Sequence, residues 1–211
     1  LNVVVFVPDD LSLVKGSPST RRKFIDLELS KISPIYAFYL AKYNRLLKER
    51  NQYLKLLSKK NGKYDDYLET IDEQMVDVQL KVIEKRENFI ERLSKNVKDI
   101  YKSIADNEEY VDLNYLCFIK KKNKEELLKL YKKEFSRDLK YLSTTHGIHK
   151  EDMKIMIDQK SAHQYASQGQ QRTIVLSIKI ALLELIKEEI GEYPILLLDD
   201  VLSELDDQRK T

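Results

Sequence analysis

With 211 residues, 42% of them apolar, the chain is long enough for one large or two modest domains with a real core. Its 37 Lys and Arg nearly cancel its 35 Asp and Glu, leaving a formal charge of +2, so no global basic field advertises nucleic acid and any such contact has to be a local patch. A single cysteine, Cys117, excludes an internal disulfide, no apolar run approaches the roughly 20 residues of a membrane span, and no charged-then-apolar leader opens the chain; the expectation is a soluble, cytoplasmic protein with no membrane partner.

From the amino end, Val3–Val7 is rich in β-formers and is closed by Pro8, which predicts a strand. Gly16 ends the following turn, and Ser17–Pro18 reads as an N-cap with proline at the first helical position. Arg21, Arg22 and Lys23 fall in the first turns of that helix, as a solvated face or a contact to DNA phosphates. Ser33–Pro34 repeats the start signal and opens a helix to about Lys60, stopped by Asn61–Gly62. Tyr36, Tyr39, Tyr43, Leu46, Leu47, Tyr53, Leu54 and Leu57 form its broad apolar stripe. Beyond it, Leu68, Ile71, Met75, Val78 and Val82, then Phe89, Leu93, Val97, Ile100 and Ile104, step by threes and fours with one polar break around Lys85–Arg86. Two such helices can cover each other's stripes as an antiparallel hairpin, an arm that serves either as a DNA or partner surface or as a spacer.

Tyr110–Ile119 alternates and predicts a strand in which Cys117 is a small core hydrophobe rather than a nucleophile. The basic run Lys120–Lys122 and Lys124 leads into a helix at about Lys124–Tyr141. Met153–Ile157 is a second strand that can pair with Tyr110–Ile119. His146 and His149 flank Gly147 without the paired ligands a zinc site needs. His163 is expected in a loop.

Ser167–Gln168–Gly169–Gln170 opens a strongly apolar helix. Ser167 with Gln170 three residues on is a capping box, which by itself satisfies orphan amides. A glycine in the first turn costs on the order of 1 kcal/mol relative to alanine, and a bare backbone there lets phosphate oxygens approach amide donors, with the Ser167 hydroxyl and Gln170 amide as further donors. Past Pro194, four aliphatic residues, Ile195–Leu198, run into Asp199 and Asp200. This predicts a strand buried on both faces whose two carboxylates emerge at the carboxyl edge of a parallel sheet. It is either an ordinary core strand ending in a polar turn or a site at which Asp199 holds Mg²⁺ and Asp200 orients or deprotonates a water attacking a nucleotide.

These residues carry a resemblance. Ser167–Gln170 resembles the signature motif of ABC-type ATPases, Ile195–Asp200 their Walker B strand, and Ser203–Glu204–Leu205–Asp206 the D-loop after it. Three blocks in order, VFVPDDLSLVKGSPSTRRKFID at Val5–Asp26, ASQGQQRT at Ala166–Thr173 and PILLLDDVLSELD at Pro194–Asp206, look specifically like the RecF family of bacterial recombination mediators. Gly147–Asp152, GIHKED, resembles a further block of that family with Ile148 in place of proline, for which a lobe-positioning role near the signature face is expected of His149 and Asp152. Against the general ABC pattern, Ala166 replaces a leucine, Gln168 the first signature glycine and Asp200 a glutamate, and all three look normal for this family. The shorter Asp200 agrees with slow hydrolysis. No residue near Asp9–Asp10 matches the glutamine of the nucleotide-sensing loop.

The resemblance implies an α/β fold, part of an ABC-type (P-loop NTPase-like) ATPase head with an inserted all-helical arm of antiparallel long helices. It implies residues 1–16 as head strand and loop, 17–107 as the arm, and 108–211 as lobe sheet, signature helix, Walker B strand and D-loop. It implies ATP and Mg²⁺ as cofactors, with Ser167, Gly169 and Gln170 on the γ-phosphate of a neighbouring protomer, Ser203 and Asp206 in the D-loop, Asp199 on the metal and Asp200 as the catalytic group. The partners implied are an ATP-dependent second copy, RecR, RecO, and gapped or junction DNA in repair, replication restart and the SOS response, with assistance to RecA loading. The one Gly–Lys pair, Gly62–Lys63, has Leu57 and Tyr64 where a phosphate loop needs Gly and Ser or Thr, so that loop is expected upstream of Leu1 and the 211 residues alone are expected to be inactive, the complete protein a weak ATPase. Two rivals remain. A chromosome-maintenance or break-repair head would need a far longer coiled coil than Ser33–Asn107 provides. A non-enzymatic helical adaptor leaves Gly169 and Asp199–Asp200 without a cause.

Overall fold

The structure, a computed structural model, describes residues 3–60, 62–105 and 108–198. Its contacts divide into two compact units, Leu1–Ile32 with Glu87–Leu116 and Asp152–Thr211, and Ser33–Arg86 with Cys117–Glu151. These cuts differ from the sequence partition at 16/17 and 107/108: the helix that follows Ser17 belongs to the first unit, and residues 117–151 belong to the second.

In the first unit, β1 (Val3–Phe6) and β5 (Ile195–Leu198) pair in parallel, Val3 opposite Ile195 and Phe6 opposite Leu198. Side chains alternate across a strand. Val4 and Phe6 are therefore buried on one face, and α7 (Gln168–Ile190) packs against β1, whereas Val5, Ile195 and Leu197 are 40%, 46% and 51% exposed. The expectation of a strand buried on both faces is corrected accordingly. Among the described residues β5 has β1 as its strand partner, and no layer covers the face that carries Ile195 and Leu197. Gly191 ends α7 at φ 84°, a left-handed cap that glycine adopts without steric cost.

After β1 come a 3₁₀ turn (Pro8–Leu11), α1 (Ser12–Lys15) and α2 (Pro18–Ile32), the last starting at the Ser–Pro signal. The second sheet has the order β2 (Val111–Leu116), β3 (Asp152–Ile157), β4 (Lys160–Ser161), all antiparallel, with Leu113 opposite Ile155. The pairing of β2 with β3 is as predicted. The β3–β4 hairpin, which the sequence reading lacked, turns on Asp158 and Gln159, both at positive φ (46° and 63°), as a two-residue hairpin of right-handed twist requires. His163 lies in a short helix, α6 (Ala162–Tyr165), rather than in a loop.

The second unit contains α3 (Pro34–Lys59), α5 (Lys124–Tyr141) and the first half of α4 (Asp66–Ala105). Ser33 caps α3 through the Tyr36 amide, and Asn123 caps α5 through the Glu126 amide. Side-chain pairs fix α3 and α4 as antiparallel: Arg50 meets Asp72, while Tyr36, earlier in α3, meets Arg86, later in α4. The polar break in the apolar spacing at Lys85–Arg86 falls inside α4, one helix of 40 residues. Arg86 interrupts the apolar pattern without interrupting the helix because it is 1% exposed, donating to the Tyr36 hydroxyl (3.0 Å) and the Ile148 carbonyl (2.9 Å), with Glu151 at 3.5 Å.

A buried polar cluster of this unit surrounds Arg50, which has no exposed surface. Its guanidinium donates to Asp72 (2.5 and 3.4 Å), Asp138 (2.6 Å) and Thr144 (2.9 Å) and lies over the Tyr131 ring. Burial pulls the guanidinium down, but the charges and hydrogen bonds of Asp72 and Asp138 outweigh it and hold Arg50 above its ordinary value. Desolvation pushes the Asp72 carboxyl up against the pull of Arg50. Tyr64, kept protonated by burial and by the Asp72 charge, donates to Asp72 at 2.9 Å.

Candidate functional site

The first turn of α7 has the capping-box form expected of Ser167 and Gln170. Ser167, in extended conformation, accepts from the Gln170 amide (3.2 Å), and the Gln170 side-chain oxygen accepts from the Ser167 amide (2.7 Å). This closes the capping box. Two further bonds brace the turn, Gln171 Nε2 to the Ala166 carbonyl (2.6 Å) and Thr173 Oγ1 to the Gly169 carbonyl (3.0 Å). An α-helix leaves its first amides without internal acceptors. Among the described residues those of Gln168 and Gly169 have none, Ser167 is exposed and Gly169 is half-buried. Two amides, a hydroxyl and the positive end of a 23-residue helix therefore face outward, a donor set that fits phosphate oxygens. Gln170 is placed differently from the other members: besides closing the box, its Nε2 donates to Glu109 (2.8 Å), whose other oxygen accepts from the Tyr101 hydroxyl (3.0 Å).

At the carboxyl edge of the β1–β5 sheet, sequence reasoning missed Lys179. A lone lysine within the apolar run of α7, it is 6% exposed, and its ammonium donates to the Val5 carbonyl (2.8 Å), pairs with Asp10 (2.9 Å) and lies 5.9 Å from the centroid of the Phe24 ring. Asp10 in turn accepts from the Val7 amide (2.9 Å). The turn leaving β1 is thus tied to the helix that starts after Ser167. The available signal was the position of the lysine on a helical face otherwise apolar. Asp199, Asp200, Ser203 and Asp206 lie outside the described residues. Within the described residues no cluster of three or more His, Cys, Asp or Glu could hold a metal.

The three basic residues at the start of α2 separate. Arg21 is 8% exposed and donates bidentately to Asp152 (2.7 and 2.8 Å) and to the Gly16 carbonyl (2.8 Å). It fastens α2 to β3, so its guanidinium is committed inside the unit. Arg22 is half-buried and Lys23 exposed. In the second unit, His149 joins the Tyr43 hydroxyl (2.7 Å) to the Thr144 carbonyl (2.9 Å), and a Cβ at Gly147, φ 144°, would strike the Tyr43 hydroxyl and the His149 ring. His149 thus positions the loop that follows α5, while Asp152 of the same sequence block belongs to β3.

No protein-family model matches the chain. Its curated relatives include the DNA replication and repair protein RecF of Staphylococcus carnosus (strain TM300), 45% identical, and that of Staphylococcus aureus (strain JH9), 44% identical. Each alignment covers 100% of this chain and 59% of the relative. Two solved structures of the recombination mediator protein RecF in the RecFOR pathway, one as RecF-ATPrS and one as RecF-ATP, match with TM-scores of 0.91 at 39% and 40% identity. They cover 100% and 99% of this chain and 58% and 57% of theirs. The fold is accordingly that of part of an ABC-type ATPase head with a helical insertion. The chain belongs to the RecF family. It spans about three fifths of the length of the curated relatives it matches.

Proposed function

We propose that the chain is part of an ATP-dependent recombination mediator whose α7 turn closes on the terminal phosphate of a nucleotide held by a second copy. The observation that carries this reading is the outward-facing set of the Gln168 and Gly169 amides and the Ser167 hydroxyl, in a chain of which 99% aligns with a RecF solved with ATP. ATP would supply the γ-phosphate, and its hydrolysis would remove it. The chain's own part is to present donors that gain affinity only when that phosphate is present, so closure becomes a nucleotide-controlled population shift. Asp199 is assigned to Mg²⁺, Asp200 to orienting the attacking water, and Ser203 and Asp206 to the D-loop between protomers.

The DNA surface is assigned to Arg22 and Lys23 with the lysines of the helical insertion, on gapped or junction DNA, with RecR and RecO as protein partners in repair, replication restart and the SOS response. The test is Ser167→Arg in a full-length family member carrying this sequence. An arginine there fills the anion seat with a bulky side chain, so light scattering should lose the ATP-dependent dimer while monomer ATP affinity stays within about twofold, since uniform binding to the same protomer is untouched. A dimer that still forms refutes the role in trans.

A further inference from the structure

We infer that Glu109 is a competing acceptor that holds the nucleotide-facing turn closed on itself until a phosphate displaces it, an inference that rests on the proposed role of that turn in trans. Gln170 has one side-chain oxygen and one NH₂ group. The oxygen is engaged by the Ser167 amide and the nitrogen by the Glu109 carboxylate at 2.8 Å. Within the signature turn, then, the side-chain donor that stands beside the Ser167 hydroxyl is already bound to an anion of this chain. Glu109 is not an isolated surface acid. Its second oxygen accepts at 3.0 Å from Tyr101, which is 1% exposed in the last turns of α4, so the carboxylate is fixed from the side away from Gln170.

Two consequences follow. A phosphate arriving at the Gln168 and Gly169 amides meets a fixed negative charge one hydrogen bond beyond the seat. Like charges this close to one another at a protein surface, partly screened by salt, shift an affinity by on the order of tenfold. Release of the Gln170 amide to the phosphate returns Glu109 to its remaining partners, the Tyr101 hydroxyl among them, so occupation of the seat is felt at the end of α4. The chain Gln170–Glu109–Tyr101 is a positioning device for closure and touches no reacting atom.

The experiment compares ATP-dependent dimerisation of a full-length family member carrying this sequence with that of its Glu109→Gln, Gln170→Ala and doubly substituted variants, with Ser167→Arg as control. Glutamine at 109 can still accept from Gln170 but carries no charge. The expected result is a dimer dissociation constant in ATP about tenfold lower for Glu109→Gln, with monomer ATP affinity unchanged and no dimer without nucleotide. In the Gln170→Ala background the gain should shrink, because the carboxylate then has no donor to withhold. A merely structural Glu109 would lower the melting temperature and leave the ATP-dependent constant where it was. Unchanged or weakened dimerisation in Glu109→Gln, or an equal gain without nucleotide, overturns the inference while leaving the trans reading intact if Ser167→Arg still abolishes the dimer. Normal dimerisation of Ser167→Arg overturns both.

Discussion

Replacing Arg50 by methionine keeps the apolar stem and removes the cation that bridges two buried carboxylates. Asp72 and Asp138 have at most 1% of their side-chain surface exposed, and Arg50 supplies Asp72 with two hydrogen bonds and Asp138 with one. Breaking a buried pair by deleting one partner costs about 3–5 kcal/mol, because a charge is left without compensation. For a cooperative unit of this size class, that lowers the melting temperature by roughly 10 °C or more. The sign of the pH dependence follows from the desolvation that pushes Asp72 up. Without Arg50 the folded state favours the protonated acid still more, so the added instability is greatest at neutral pH. It diminishes as pH falls toward the unfolded carboxylate value of about 3.9. Thermal unfolding followed by circular dichroism at pH 7.5 and pH 5 measures both. A loss below about 1 kcal/mol, or one that grows on acidification, would refute the view of Arg50 as a required counter-charge. Adding Asp72→Asn to Arg50→Met should recover part of the loss at pH 7.5.

Lys179→Met takes the ammonium away from Asp10, which keeps the Val7 amide, and from the Val5 carbonyl. It should cost about 2–3 kcal/mol in urea unfolding, as loss of a charge-assisted hydrogen bond in a partly buried site does; a cost within about 0.5 kcal/mol would mean the lysine is not a tie between α7 and the β1 turn. Reversing Arg22 and Lys23 together should flatten the salt dependence of DNA binding in a full-length family member by roughly one unit of slope per lost phosphate contact, and an unaltered slope removes the start of α2 from the DNA surface.

Much of the fold was written in local signals. The Ser–Pro pairs set the starts of α2 and α3, alternation marked β2 and β3, and the capping box opened α7, because each depends on residues within a turn of one another. What escaped were charges whose fate is decided by distant partners. Arg86 read as a polar interruption of an apolar stripe, and its burial against Glu151 and the Ile148 carbonyl was not foreseen. Arg21 read as a surface cation and is bound by Asp152, 131 residues on. Charge alone cannot tell a solvated arginine from a paired one. The same holds for Gln170: its spacing from Ser167 announced the capping box, but nothing nearby announced that Glu109, 61 residues earlier, takes its amide. β5 was misjudged for a related reason, since an aliphatic run records what a strand can bury and not which of its faces is covered within the chain.

The central claim is a contact between one copy's α7 turn and the other copy's nucleotide, and it can be read by mass spectrometry. A mixed dimer is formed from a full-length protomer that binds ATP and an isotopically distinct protomer that does not, loaded with an ATP analogue carrying a photoreactive group on its γ-phosphate. After irradiation and trypsin digestion, the adduct should appear on the peptide Ser161–Arg172 of the protomer that holds no nucleotide. Adducts confined to the nucleotide-holding protomer would contradict the account.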